Sequence, residues 1–240
     1  RYRRRTNSED SGMHREQRII RRLLIPLAGL LLAASSVAAT SQVRVDDAGE
    51  RLVAGFVENV ETLQGRFEQA LIDAGGEVVE RSSGTLEIAR PGRFRWTYFE
   101  PYEQQLVADG LNIWSYDVDL AQVTVKPQAK ALANTPALLL GGDEQALSQF
   151  RFDGATLENG TTWVRMIPVD TSSGFERMEL GFLDGQLTRM AFFDNLEQTT
   201  LVALYDVVTN QPIDAARFVF EVPADADLVG VPALNAEATP

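Results

Sequence analysis

Leu86-Glu87-Ile88-Ala89-Arg90-Pro91-Gly92-Arg93-Phe94-Arg95-Trp96-Thr97-Tyr98-Phe99-Glu100-Pro101 is the most informative stretch of the chain. Leu86 and Ile88 alternate with Glu87, and Phe94, Trp96 and Tyr98 alternate with Arg93, Arg95 and Thr97. Side chains two apart leave a strand on one face, so both halves read as strands. Pro91-Gly92 between them is turn chemistry. The aromatic face admits two readings. It is a packed sheet face, the ordinary fate of aromatics, or Phe94 and Trp96 are the walls of a cavity. In the second reading Arg90 stands at the rim and offers its five donors to whatever covers the opening.

The same period continues outward. Leu111 and Ile113 alternate with Trp114 and Tyr116, and Trp163 and Arg165 with Val164 and Met166. Met178, Leu180 and Phe182 share a face, as do Phe218, Phe220 and Val222. Gly75-Gly76, Asp109-Gly110, Asn159-Gly160 and Asp184-Gly185 punctuate these runs. Asp-Gly and Asn-Gly between alternating runs are hairpin signals, so the pattern predicts a long antiparallel sheet built from successive hairpins.

Helices frame the sheet. Leu52, Val53, Phe56, Val57, Val60 and Leu63 recur at helical spacing, which predicts a helix over 46–63, started by Asp46 or Asp47 and followed by Gly65. Asn134-Thr135-Pro136-Ala137-Leu138-Leu139-Leu140 begins with a cap residue and a helix-starting proline, and Gly141-Gly142 stops it. Asp143 can start a further short helix toward Phe150. The fold class expected is mainly β (α+β). It is an incomplete antiparallel barrel with amphipathic helices over one face, which leaves an apolar cavity between the layers.

The N-terminal region has a different composition. Arg15, Arg18, Arg21 and Arg22 precede an apolar run from Leu23 to Ala34, and small residues follow at Ser35-Ser36-Val37-Ala38-Ala39. This is the three-part plan of a secretory signal, cut after Ala38 or Ala39. The run is shorter than the roughly 20 apolar residues that span a bilayer. The domains expected are an upstream extension outside the functional protein (1–12), a signal peptide (13–39), one domain (40–223) and a frayed tail (224–240).

Composition then excludes chemistry. There is no Cys, and the one His is His14 in the expected leader. Residues 1–39 hold eight basic and three acidic residues of the chain's 22 and 34, leaving 14 and 31 in residues 40–240 and a net charge of −17. A domain without His or Cys has no Ser-His-Asp triad, no thiolate nucleophile and no His/Cys zinc site. No cofactor and no metal are expected. The acidity argues against nucleic acid and against anionic lipid surfaces. A bacterial lipoprotein anchor needs a cysteine that is absent. Carboxylate pairs are the remaining route to hydrolysis. Asp117 and Asp119, Glu179 and Asp184 look like solvated acids of an acidic protein rather than a pair with one raised pKa. Asp117-x-Asp119 also lacks the glycine and distal glutamate of a calcium loop.

Taken together, the motifs resemble the periplasmic outer-membrane lipoprotein carrier family, LolA. The resemblance rests on residues 86–96, Gly65-Arg66-Phe67-Glu68-Gln69, Val107-Ala108-Asp109-Gly110, Ile113-Trp114-Ser115-Tyr116-Asp117, Gln122-Val123-Thr124-Val125, Asn134-Thr135-Pro136 and Asp214-Ala215-Ala216-Arg217-Phe218. These motifs occur in the family's order over residues 45–223. The resemblance implies a half-barrel with a helical lid over a cavity that holds the acyl chains of lipoproteins. It implies that cargo is taken from an inner-membrane ABC transporter and passed to an outer-membrane receptor. It implies that Arg90 latches the lid and that Phe94 and Trp96 line the cavity. The full ligand set expected is Arg90, Phe94, Trp96, Leu52, Phe56, Leu106, Trp114 and Leu138. The protein is expected to be a periplasmic monomer and not an enzyme. The alternatives are another periplasmic lipid-binding or sensor module on the same half-barrel, and an interaction module with a filled core.

Overall fold

The computed structural model describes residues 40–132, 137–141, 144–170 and 174–234, except for the side chains of 40–45, 137, 138, 144 and 145. The expected leader and residues 1–12 lie outside the described residues.

Helix α1 (Thr40–Asn59) leads into a meander of six strands: β1 (Thr62–Ile72), β2 (Val78–Ala89), β3 (Arg93–Glu100), β4 (Gln104–Asp109), β5 (Asn112–Asp117) and β6 (Gln122–Pro127). Three short helices follow, α2 (Gln128–Leu132), α3 (Ala137–Gly141) and α4 (Glu144–Leu147). A second meander runs through β7 (Phe150–Glu158), β8 (Thr161–Pro168), β9 (Phe175–Leu183), β10 (Gln186–Asp194) and β11 (Thr199–Thr209). β1 pairs with β11 and fuses the meanders into one sheet. A short β12 (Asp227–Val229) joins the far edge in parallel with β6. The order is β12-β6-β5-β4-β3-β2-β1-β11-β10-β9-β8-β7. The two ends do not pair with each other, so the barrel is incomplete, as the alternating pattern predicts.

The hairpins form where the turn residues stand. Asn159-Gly160 and Asp184-Gly185 both take positive φ, at +50° and about +80°. That is the backbone of two-residue hairpin turns, which match the right-handed twist of paired strands. Asp109 Oδ1 accepts from the backbone N–H of Leu111 and Asn112, both at 2.7 Å, and so closes the β4–β5 turn.

Packing changes the ends of the first helix. It begins at Thr40, and Asp46 is no cap: its Oδ1 accepts from Ala155 N–H at 2.8 Å. Gly49 lets α1 come close to β7, because a Cβ there would lie 2.5 Å from that of Ala155. The helix stops at Asn59, four residues short of Leu63. Leu63 fits the helical period, yet it is a fully buried strand residue opposite Ile88 and Thr209. Ladder pairing on both sides outweighs one more helical turn. Gly65 is therefore not a helix stop. It sits at a bulge between β1 and β11, where a Cβ would meet the carbonyl of Tyr205.

Two further expectations are corrected near the C-terminus. Phe218, Phe220 and Val222 are not a strand. Residues Ala215–Phe218 form a 3-10 turn capped by Asp214, and the chain then crosses the outer face of the sheet. The tail expected to fray from Ala224 instead contributes β12. Beyond it Asn112 donates to the carbonyl of Ala233 at 3.1 Å and accepts from its N–H at 2.7 Å. Residues 235–240 lie outside the described residues.

Each face of the sheet has its own core. On the concave face Val53, Phe56 and Val57 of α1 and Leu139 and Leu140 of α3 pack over Leu63, Ile88, Phe94, Val164, Leu180 and Phe182. On the convex face Val107, Val123 and Val125 are sealed, and Phe218 is buried with them.

Candidate functional site

Strand register lays the concave face of β2–β6 out in rows. Ile88, Phe94, Ala108, Ile113 and Lys126 are successive cross-strand partners at the lid end. One pleat further on come Leu86, Trp96, Leu106, Ser115 and Thr124. The third row is Gly84, Tyr98, Gln104, Asp117 and Gln122. Apart from Lys126 at the outer edge of the first row, polarity rises along the face, from aliphatic and aromatic side chains to hydroxyl and then to amide and carboxylate. Tyr98 belongs to that far end. Burial, and then the charge of Glu80, push its phenol up to about 12.

A cavity of about 590 Å³ opens beside the first two rows. Leu106, Ile113, Ser115 and Thr124 form its floor, Leu132 of α2 closes one end, and Phe192 of β10 faces them from the opposite meander. Lys126 stands exposed at its edge. The lining is mostly apolar with a few polar groups, which is how small-molecule sites are built.

Arg90, just past the end of β2, ties the helices down. Its Nη1 donates to the carbonyls of Phe56, Val57 and Val60 at 2.6, 3.1 and 2.7 Å. Its Nη2 and Nε donate to those of Leu139 and Leu140 at 3.1 and 3.2 Å. These are carbonyls that the ends of α1 and α3 leave unsatisfied, and a cation complements the negative end of each helix. The guanidinium also lies 4.6 Å above the Phe56 ring. Burial lowers its pKa to about 10, so it remains charged at neutral pH. One side chain thus holds two helices to the sheet.

Phe94 is buried beneath this latch, and Phe56 meets Phe182 edge to face at 6.3 Å. Leu52 is half-buried against the same core, and Leu106 lines the cavity. Trp96 is 8% exposed, packed edge-on to Phe67 and parallel to Tyr98. Its indole Nε1 is the one fully buried side-chain N or O atom without a hydrogen-bond partner among the described residues. Leaving such a donor unpaired costs about 1–3 kcal/mol.

The assignment of Trp114 to the cavity is corrected. Ile113 and Ser115 face inward, so Trp114 faces out, stacks on Phe220 at 5.5 Å and donates to Asp109 Oδ2 at 2.7 Å. The side chain of Leu138 lies outside the described residues. Sequence reasoning missed Ser115, Thr124, Leu132 and Phe192. Ser115 shares a face of β5 with Ile113, so alternation places the two together but leaves open whether that face is the inner one. Phe192, next to Phe193, carries no alternation to orient it.

A family model, the outer membrane lipoprotein carrier protein LolA, matches residues 58–221. The chain belongs to that family. An outer-membrane lipoprotein carrier protein of Dechloromonas aromatica is 40% identical over 175 residues, which cover 73% of this chain and 84% of that one. The Halorhodospira halophila protein of the same name is 41% identical over 173 residues, covering 72% and 81%. That of Chromobacterium violaceum is 35% identical over 204 residues, covering 85% and 98%. The LolA match includes Arg90, Phe94, Trp96 and the cavity floor, whereas most of α1 and all of β12 lie beyond it.

Proposed function

We propose that this protein is a periplasmic carrier that binds the acyl chains of lipoproteins released from the inner membrane and transfers them to an outer-membrane receptor. One observation carries the reading. A mostly apolar cavity, with Leu106 and Ile113 in its floor and Leu132 of α2 at one end, opens on the same concave face over which five hydrogen bonds from a single side chain, Arg90, hold α1 and α3. Burying acyl chain yields about 0.8 kcal/mol per methylene, so modest exposure of the concave face suffices to bind cargo. A carrier must also release. Hydrogen bonds to a charged group contribute about 1.5–3 kcal/mol each at most, so a latch of this kind can be undone by the cargo itself. Family membership supports the lipoprotein cargo. The remaining parts of the reading are proposed alongside it: an ABC transporter as donor, an outer-membrane receptor as acceptor, export directed by residues 13–39, and action as a monomer. Arg90 acts as latch, and Phe94, Trp96, Leu52, Phe56 and Leu106 act as walls.

The test is to express residues 13–240 in a bacterial periplasm, isolate the product gently and weigh it by native mass spectrometry. The expected result is a one-to-one complex with acylated lipoproteins. Bound phospholipid or fatty acid alone would replace the carrier reading with that of a general lipid-binding module. An empty protein that also ignores added triacylated lipopeptide would overturn both.

A further inference from the structure

The carrier reading leaves one group unused. Trp96 Nε1 is a hydrogen-bond donor sealed inside the concave face with no acceptor. Cavity walls need only apolar surface, and phenylalanine would provide it without an orphaned N–H. The register shows what surrounds this donor. Trp96 lies directly opposite Leu106, which lines the cavity, and in the same row as Ser115 and Thr124. Nearer the lid the row is Ile88, Phe94, Ala108 and Ile113, with only the exposed Lys126 at its outer edge charged, and further out it is Tyr98, Gln104 and Asp117. An acylated cargo has the same order of polarity. Its hydrocarbon ends are apolar, the ester or amide carbonyls that join chain to headgroup are acceptors without donors, and the peptide beyond them is polar.

We infer that cargo binds with its chain ends toward Phe94 and the helices and its linkage carbonyls on the middle row, where Trp96 Nε1 donates to an ester or amide carbonyl. Trp96 is then a specificity residue for the linkage, in addition to being a wall. The empty, closed form carries the unpaired donor, and loading gives it an acceptor. That difference favours the loaded form and costs nothing in apolar contact. The inference rests on the carrier reading.

The test compares two synthetic lipopeptides with identical chains, one diacyl with ester linkages and one dialkyl with ether linkages, each without N-acylation. Wild-type protein is expected to bind the ester form about five-fold more tightly, the effect of one net hydrogen bond. Trp96→Phe keeps an aromatic wall and removes the donor. It is expected to abolish that preference, so that the ester form binds no more tightly than the ether form, whatever the change of wall costs both. In wild-type protein the ¹H–¹⁵N signal of the Trp96 indole should shift downfield with the ester form and not with the ether form. Equal loss of both ligands in Trp96→Phe, or an indole signal indifferent to the linkage, would overturn the hydrogen bond and leave the carrier reading intact. Failure of wild-type protein to bind either lipopeptide would sink the carrier reading and the inference with it.

Discussion

Trp96 and Trp114 stand on adjacent parts of one sheet and differ in almost everything that surrounds them. Trp114, on the convex face, is finished: its ring stacks on Phe220 and its N–H is held by Asp109 at 2.7 Å. Trp96, on the concave face, is more deeply buried, yet its N–H has no partner. The convex face is closed by covalent continuation of the chain, where Arg217 pairs with Glu87 at 2.7 Å and its carbonyl accepts from Arg95 at 2.8 Å. The concave face is closed by helices that one arginine holds. In the carrier reading the convex face stays shut with its polar groups satisfied, and the concave face opens with one donor left for the ligand.

The largest effect expected separates the two faces by stability. Trp114→Ala removes a ring stack and a hydrogen bond, and should lower global stability by about 3 kcal/mol, the scale of large-to-small aromatic substitutions. Denaturant unfolding should show that loss, while lipopeptide affinity under native conditions stays unchanged. A parallel fall in affinity would mean that the faces are coupled. Next in size is the latch. Arg90→Leu should weaken the closed arrangement by roughly 2–3 kcal/mol. Hydrogen exchange should accelerate in α1 and α3 but not in β4–β6, and transfer of cargo to an acceptor should change rate. Unchanged exchange in both helices would remove Arg90 as the latch.

A smaller contrast compares the indoles directly. Trp114→Phe should cost about 1 kcal/mol for its lost hydrogen bond. Trp96→Phe should cost the empty protein less, or stabilise it, because it deletes an unpaired donor. Equal losses in thermal unfolding would break the distinction drawn between the faces. The smallest effect concerns Tyr98, whose raised pKa favours its neutral form in the folded state. Its contribution is fully present below pH 10 and is lost as pH rises from 10 through about 12. Absorbance titration should show one late tyrosinate step that disappears in Tyr98→Phe.

Much of this was legible in the chain. The Asp-Gly and Asn-Gly turns, the alternation of Phe94, Trp96 and Tyr98, and the order of motifs around Arg90 carried the half-barrel and its family. What failed has a common cause. Leu63 fits a helix and a strand equally well until β2 and β11 are there to pair with it. Phe218, Phe220 and Val222 alternate like a strand, but Phe218 is buried with Val107, Val123 and Val125 on the convex face and Phe220 stacks on Trp114, so the segment covers the sheet instead of joining it. Trp114 looked like a cavity residue because nothing local says which face of β5 is inside.

By itself the sequence determined the chemistry that is excluded, through the lack of Cys and of any His after residue 39, and the places where strands turn, through residues that accept positive φ. Only the tertiary structure decided which side of each strand faces the cavity, which carbonyls Arg90 reaches, and that Trp96 keeps a donor without an acceptor. Alternation states that a strand has two faces. Which one is closed by the rest of the chain, and which is left to open, depends on contacts between residues far apart in sequence.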